Sequence, residues 1–135
     1  MPILDVILSG GPSAERSAAV AGALSGLTAD ILGKDPRVTS VAVRYVPLEH
    51  WHIGGTSLAS QGKSSFFLDV RVSDGTNTKD EKARYVAAVF ARMRELLGEL
   101  HEESYIHVHD ARADGYGYGG LTQEQRYVAG KLARR

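Results

Sequence analysis

The residue with the clearest chemical potential in this chain is its second. The sequence opens with Met1 and Pro2, and the apolar, strand-like run 3–8 follows at once. A small residue after the initiator methionine usually allows that methionine to be removed, and Pro2 would then carry a free secondary amine. An α-amino group has a pKa well below that of a lysine side chain, and burial in an apolar pocket lowers it further. Such an amine could act as a general base near neutral pH.

Pro2 also has an ordinary structural explanation. Proline is tolerated as the first residue of a strand, and sequences that begin Met-Pro are common. On this residue alone the structural explanation is favoured. The catalytic interpretation also requires that Met1 be removed, because a retained methionine would block the amine. The organisation of the rest of the chain therefore has to decide between the two.

Composition narrows the possible classes of protein. The 135 residues are close to the size of one domain, and 43% of them are hydrophobic, which is enough for a sizeable core. Sixteen basic and 16 acidic residues give a formal net charge of zero, so no basic surface favours nucleic acid or an anionic membrane. The chain has no cysteine, which excludes a disulfide framework, a zinc–thiolate site and a thiol nucleophile.

The sequence carries no sign of a membrane span, a cofactor or a metal. No apolar run approaches about 18 residues, and the first residues lack the basic and long apolar regions of a signal peptide. The five histidines follow no recognised spacing of metal ligands, although His107 and His109 share one strand face and could form a weak adventitious site. We therefore expect a cytoplasmic protein without a cofactor or a metal. Its near-neutral isoelectric point mildly favours a defined oligomer.

The chain repeats itself. Residues 4–11 read LDVILSGG, and residues 68–75, which begin 64 positions later, read LDVRVSDG. Each segment is followed by an amphipathic helical pattern, which begins after the N-cap candidate Ser13 in the first copy and after Thr78 in the second. Each helical pattern leads to a further strand pattern. The sequence therefore predicts one domain, 1–135, with β-α-β units at about 2–47 and 66–110 and a C-terminal tail, 111–135.

Two tandem units of this kind predict an α+β fold. Right-handed crossovers make the two strands of each unit parallel, so the units together form a four-stranded mixed sheet with two helices on one face. The strands are apolar at nearly every position, so we expect both faces to be buried and further copies of the chain to cover the second face. The alternative is a monomeric ferredoxin-like module, whose outer face would be more polar.

Short motifs in this order resemble the tautomerase superfamily, whose members use an N-terminal proline on a β-α-β scaffold. Pro2, the stretch 39–41 (TSV) and the stretch 50–55 (HWHIGG) resemble the 4-oxalocrotonate tautomerase type. The tandem layout and the stretch 105–110 (YIHVHD) resemble tandem-unit members such as macrophage migration inhibitory factor, the chloroacrylate dehalogenases and malonate semialdehyde decarboxylase. The resemblance, over roughly residues 2 to 118, implies a homotrimer with a pocket at each Pro2.

The resemblance also implies the residues of the pocket. Only one catalytic proline exists per chain, since Pro2 corresponds in the second unit to Phe66, which has no free amine. Each pocket candidate has a structural alternative as well: a solvated turn for the lysine, a strand or core position for the histidine and the tryptophan, and a flexible linker for the aromatic tail. That tail is expected to pack on a neighbouring subunit. The candidate substrate-binding residues are Lys34, Trp51, Ser73, Tyr105, His107 and Tyr116.

Departures from the family pattern bear on the substrate. Pro12 and Ala42 stand where the 4-oxalocrotonate type has arginines, and Asp74 lies in the loop where the dehalogenase and decarboxylase types have theirs. Arg44 and Arg71, on predicted strands, are interpreted as salt-bridge residues. The resemblance therefore implies a tautomerase that transfers a proton between the keto and enol forms of a small 2-oxo acid. The alternatives are a cofactor-free dehalogenase, hydratase or decarboxylase, and a non-catalytic trimeric protein that binds small molecules.

Overall fold

The computed structural model describes residues 2–134, which form a four-stranded sheet, two long helices and two small hairpins. In chain order the elements are β1 (Ile3–Ser9), α1 (Ala14–Leu32), β2 (Ser40–Val46), β3 (His52–Ile53), β4 (Thr56–Ser57), α2 (Leu58–Gln61), β5 (Phe66–Ser73), α3 (Lys79–Leu97), β6 (Tyr105–Ala111), β7 (Gly117–Tyr118), β8 (Leu121–Thr122) and α4 (Gln123–Ala133). No helix among these residues is both long enough and apolar enough to cross a membrane.

The four-stranded sheet has the order β2-β1-β5-β6. Strand β1 is parallel to β2, and β5 is parallel to β6, as expected for two β-α-β units. The two units join at their first strands, which are antiparallel, with Ile3 opposite Arg71 and Ile7 opposite Phe67. The predicted α+β class, with a mixed sheet and two helices on one face, is confirmed.

Both long helices have the termini that the sequence indicates. The hydroxyl of Ser13 accepts the backbone N–H of Arg16 at the start of α1, and Gly33 ends that helix with a φ of 69°, which glycine adopts without steric cost. At the start of α3, Thr78 and Glu81 form a capping box. Each helix has 19 residues and carries the chain back to the other end of the sheet.

The core lies between the helices and one face of the sheet. Alternate residues of the central strands point into it, because successive strand side chains face opposite ways. The phenol of Tyr85 shares a buried 2.8 Å hydrogen bond with the hydroxyl of Thr28, which ties α3 to α1. Each fully buried aliphatic or aromatic side chain contributes about 1.5–3 kcal/mol of stabilisation. The buried apolar residues of this core are Leu4, Val6, Leu8, Val20, Leu24, Leu32, Phe66, Leu68, Val70, Val72, Tyr85, Val89 and Met93.

The other face of the sheet corrects one expectation. The strands were expected to be apolar on both faces, but the open face carries charges. Arg44 pairs with Asp5 at 3.0 Å, and Arg71 approaches Asp69 at 3.8 Å, so both arginines have the ion-pair role assigned to them from the sequence. The expectation was wrong because successive side chains of each strand point to opposite faces of the sheet. The apolar positions that dominate β1 and β5 belong mainly to the helix face, and the open face is amphipathic.

The repeat extends beyond the β-α-β units. After β2 the chain forms the β3–β4 hairpin and the short helix α2, and after β6 it forms the β7–β8 hairpin and helix α4. Both hairpins turn on two glycines with positive φ, 54–55 in one and 119–120 in the other, which suits a tight two-residue turn. From the sequence, the first hairpin falls between the two predicted units, and the second hairpin and α4 fall in the C-terminal tail, 111–135.

Candidate functional site

Pro2 lies at the start of a central strand. The residue is buried, and its carbonyl accepts the backbone N–H of Ser40 at 3.1 Å. Strands β1 and β5 are antiparallel, with Ile3 opposite Arg71, so one further step in this register brings Pro2 level with Val72. The chain that follows β5 therefore lies just beyond Pro2. The predicted removal of Met1 concerns a residue outside those that the structure describes.

Tyr116 lies next to Pro2. Its hydroxyl accepts the backbone N–H of Ile3 at 3.2 Å and donates to the carbonyl of Arg71 at 3.1 Å. Partial burial raises the pKa of this phenol, although the hydrogen bond from Ile3 opposes the shift. Tyr116 is therefore protonated near neutral pH. The tail was expected to pack on a neighbouring subunit, but these contacts of Tyr116 are made within its own chain.

Lys34 reaches the same end of the sheet. Its ammonium donates to the hydroxyl of Thr76 at 2.9 Å, and Thr76 in turn donates to the carbonyl of Ser73. Burial lowers the pKa of Lys34, while the carboxylates of Glu81 and Asp110 act in the opposite direction. A half-buried lysine held in this way can supply a positive charge or a hydrogen bond to a bound oxygen atom.

A cleft of about 550 Å³ opens beyond the end of β5. Ser73 and Thr76 lie on one side of it, and the first turns of α4 lie on another. Pro2, Lys34, Ser73 and Tyr116 therefore all lie at this end of the sheet. The residues that line the cleft are Ser73, Asp74, Gly75, Thr76, Ala113, Gln123, Glu124, Arg126 and Tyr127.

The remaining candidates lie elsewhere in the chain. Tyr105 is level with Ile7, four residues along β1 from Ile3, which corresponds to about 13 Å. Its side chain is 62% exposed, and its hydroxyl donates to Glu103. Trp51 follows β2, whose last residue pairs with the last residue of β1, so it also lies at the end opposite Pro2.

His107 lies between the two ends, on the open face of the sheet. Its Nδ1 is 3.9 Å from a carboxylate oxygen of Asp69, and its ring meets that of His109 edge to face at 5.5 Å. Within residues 2–134, no three histidine, aspartate or glutamate side chains are grouped so that they could hold a metal ion. A single chain therefore does not bring Trp51, Tyr105 and His107 to the Pro2 end.

Sequence reasoning missed the contribution of α4. The residues Gln123, Arg126 and Tyr127 line the cleft, yet the sequence indicated this segment only as part of the C-terminal tail. The internal repeat of the sequence is the signal that could have indicated these residues. It aligns Gln123 with Leu58 and Arg126 with Gln61 once the two glycine pairs are matched.

The site combines a buried proline at the head of a central strand with a fold of two tandem β-α-β units. Residues 2–61 match the family model described as "Tautomerase enzyme". No curated protein matches the sequence. The family match covers the first β-α-β unit with its hairpin and α2, and it confirms the resemblance seen in the sequence.

The whole fold is similar to that of several solved structures. One is the asymmetric trimer of F6 fused 4-OT, with a TM-score of 0.79 and 21% identity, over 92% of this chain and 98% of that one. Macrophage migration inhibitory factor from Toxoplasma gondii has a TM-score of 0.72 and 18% identity, over 89% and 98%. FG41 malonate semialdehyde decarboxylase has a TM-score of 0.72 and 18% identity, over 97% and 98%. At these identities the likeness shows the fold alone.

Proposed function

We propose that this protein is a tautomerase that interconverts the keto and enol forms of a small 2-oxo acid, with the amine of Pro2 as the general base. The observation that carries the proposal is the position of Pro2. It is buried at the head of a central strand, within the residues that match the family model, beside the Tyr116 hydroxyl and the end of β5. The proposal requires that Met1 be removed.

The proton transfer needs only one base. The neutral nitrogen of Pro2 takes a proton from the enol hydroxyl, or from the carbon next to a carbonyl, and becomes a secondary ammonium. It then returns that proton to the other end of the conjugated system. Burial of Pro2 favours the neutral amine over its charged form, which keeps the base available near neutral pH.

Lys34 is the best placed of the candidates to stabilise the enolate. The reaction develops negative charge on the substrate oxygen, and a cation already held in place stabilises such charge without reorganisation. The bond from Lys34 to Thr76 holds the ammonium at the edge of the cleft, and Glu81 and Asp110 help to keep it protonated. Tyr116 is a second donor on the same side of the sheet.

The proposed enzyme is a homotrimer. Fused 4-OT is described both as an asymmetric and as a symmetric trimer. In this chain, Trp51 and Tyr105 lie at the end of the sheet opposite Pro2. A ring in which each subunit meets the next head to tail would bring these residues, together with His107, towards the Pro2 site of a neighbour. The cytoplasmic location stays a prediction from the sequence.

The test is ultraviolet-monitored ketonisation of phenylenolpyruvate and 2-hydroxymuconate by the wild type and by Pro2→Ala. An intact mass verifies that both proteins lack Met1. We expect the substitution to lower kcat by about 100- to 10,000-fold, which is the usual contribution of a positioned base. Equal rates for the two proteins would exclude Pro2 as the base. No rate above buffer for the wild type would favour the protein that binds without turnover.

A further inference from the structure

Helix α4 presents two hydrogen-bond donors that have no acceptor. The side-chain nitrogen Nε2 of Gln123 and the Nε of Arg126 are both enclosed, and neither finds a partner among the described residues. Gln123 is only 9% exposed. Buried donors of this kind are paired in the great majority of folded proteins, with protein atoms, water or a ligand. The two nitrogen atoms therefore mark a place where an acceptor is expected.

Helix α2, the equivalent helix of the first unit, has no unpaired donors at the corresponding positions. Leu58, which corresponds to Gln123, is fully buried and has no polar side-chain atom. Gln61, which corresponds to Arg126, donates both hydrogens of its amide, to the carbonyl of Ile53 at 3.1 Å and to that of Thr56 at 2.9 Å. The hairpin and the first turn of the helix recur in both units, so the surplus donors are not needed to build them.

Arg126 is held firmly in place. One guanidinium nitrogen donates to the carbonyl of Tyr118 at 2.9 Å, which is the counterpart of the bond from Gln61 to Ile53. The guanidinium also lies 3.8 Å above the centre of the Tyr118 ring, a cation–π contact. These two contacts fix the guanidinium and leave its Nε without an acceptor.

Both donors belong to the cleft beyond the end of β5. Gln123 and Arg126 are three residues apart in α4 and so lie on one face of the helix, and both line the cleft. The backbone N–H of Gln123 donates to the carbonyl of Tyr116 at 2.8 Å, and the hydroxyl of Tyr116 contacts Ile3, the neighbour of Pro2. Tyr116 therefore links the start of α4 to the head of β1, where Pro2 lies.

We propose that Gln123 and Arg126 bind the carboxylate of the substrate, an inference that rests on the function proposed above for the same site. A carboxylate accepts hydrogen bonds from a guanidinium and an amide together, and such charge-assisted bonds are strong. Because both donor atoms are enclosed, the carboxylate can reach them only after neighbouring side chains change rotamer, a motion that occurs in picoseconds to nanoseconds at exposed positions.

The same cleft selects against a second carboxylate. Asp74 and Glu124 line it and are exposed, so a further negative charge on the ligand would be repelled. The substrate class is therefore a 2-oxo acid with one carboxylate rather than a dicarboxylate. Arg126 supplies, from the last helix, the cation that the family pattern places at other positions, where this chain has Pro12 and Ala42.

The test compares binding with turnover. The wild type and two variants are titrated calorimetrically with phenylpyruvate and with its neutral methyl ester. The variants, Arg126→Gln and Gln123→Leu, carry the residues that stand at the equivalent positions of the first unit. Lys131→Gln removes one charge from the same helix and serves as the control. We expect Arg126→Gln to weaken binding of the acid by roughly 10- to 100-fold and Gln123→Leu to weaken it by several-fold. Binding of the ester and the behaviour of Lys131→Gln should be unchanged.

The outcomes separate this inference from the proposed function. If Arg126→Gln binds the acid as tightly as the wild type does, or if the wild type does not bind it, the inference is wrong, whatever the ketonisation rates are. If the acid binds in a manner that depends on Arg126 but is not turned over, the inference stands and the tautomerase proposal fails. Arg126→Lys, which keeps the charge, guards against misfolding and should bind the acid better than Arg126→Gln does.

Discussion

The two ends of the sheet have the same backbone plan but carry different chemistry. At one end the chain enters β1 at Pro2, and at the other it enters β5 through Phe66, which is fully buried and has no free amine. Lys34 follows the glycine cap of α1, whereas the residue that follows the glycine cap of α3 is Glu99. The proline and the lysine thus stand at one end of the sheet and their counterparts are a phenylalanine and a glutamate, so the Pro2 end is the candidate active site.

A second difference lies between the long helices and the outer strands. In the first unit, Tyr45 shares a neutral 2.8 Å hydrogen bond with Ser17. The second unit has an ion pair between Lys82 and Asp110 at the equivalent positions. This pair lies near the Pro2 end, and the carboxylate of Asp110 raises the pKa of Lys34. The difference suggests that the charges of the second unit tune the lysine that the first unit supplies.

The largest effect on stability is expected at the end of the sheet opposite Pro2, where β5 begins. Phe66→Ala deletes a fully buried ring from the start of β5 and should lower the free energy of unfolding by about 3–5 kcal/mol. Urea denaturation measures the change. The folded fraction should keep its kcat, since Phe66 has no part in the proposed chemistry. A drop in kcat per folded molecule would show that the packing around Phe66 supports the active site.

The charge at the two helix ends gives a matched pair of substitutions. Lys34→Met should lower kcat by up to about 100-fold, because it removes the cation proposed to stabilise the enolate. Glu99→Met, at the equivalent position of the other unit, should leave kcat unchanged. Steady-state ketonisation of phenylenolpyruvate measures both. Equal effects from the two substitutions would remove Lys34 from the mechanism.

The contact between the two helices predicts an alkaline transition. Burial raises the pKa of Tyr85 to about 12 from its usual 10.0, so the folded state keeps the phenol protonated where the unfolded chain ionises it. Stability should therefore fall as the pH rises from about 10 to about 12. Tyr85→Phe should remove this fall from urea titrations taken across that range, and should cost about 1 kcal/mol at neutral pH through the lost bond to Thr28. A slope that survives in Tyr85→Phe would assign the transition to another group.

The smallest effect concerns the ion pair beside Lys34. Asp110→Asn removes a charge that raises the pKa of Lys34, so the lysine should lose its proton at lower pH. The alkaline limb of the kcat profile is then expected to move to lower pH. Tyr45→Phe, at the equivalent position of the first unit, should leave the profile in place. An unmoved limb in Asp110→Asn would show that Lys34 does not control it.

Much of the fold could be predicted because the signals are local. The capping residues Ser13 and Thr78 and the repeated LDV segments lie within one turn or one strand of what they specify. The charged open face was missed because alternation in β1 and β5 is partly masked by Ile3, Ile7 and Phe67. These residues are apolar but lie on the side away from the helices.

The site could be predicted only in part, for a different reason. Sequence similarity indicated Pro2 and Tyr116, whose proximity depends on the register between β1 and β5. The same register places Tyr105 far from Pro2 within one chain, which no local pattern reveals. Arg126 escaped notice because the glycine-rich hairpin before it hides the correspondence with Gln61.

The central claim is that Pro2 carries a free, neutral amine that faces the cleft, and chemical labelling tests it most directly. The protein Pt0534, whose structure is similar to that of this chain, is described as inactivated by 2-oxo-3-pentynoate. We expect this electrophilic alkyne to add once to the wild type, with the adduct mapped to Pro2 by peptide mass spectrometry and with no adduct on Pro2→Ala. A wild type that takes up no label, or that takes it up on Lys34 or another side chain, would contradict the account.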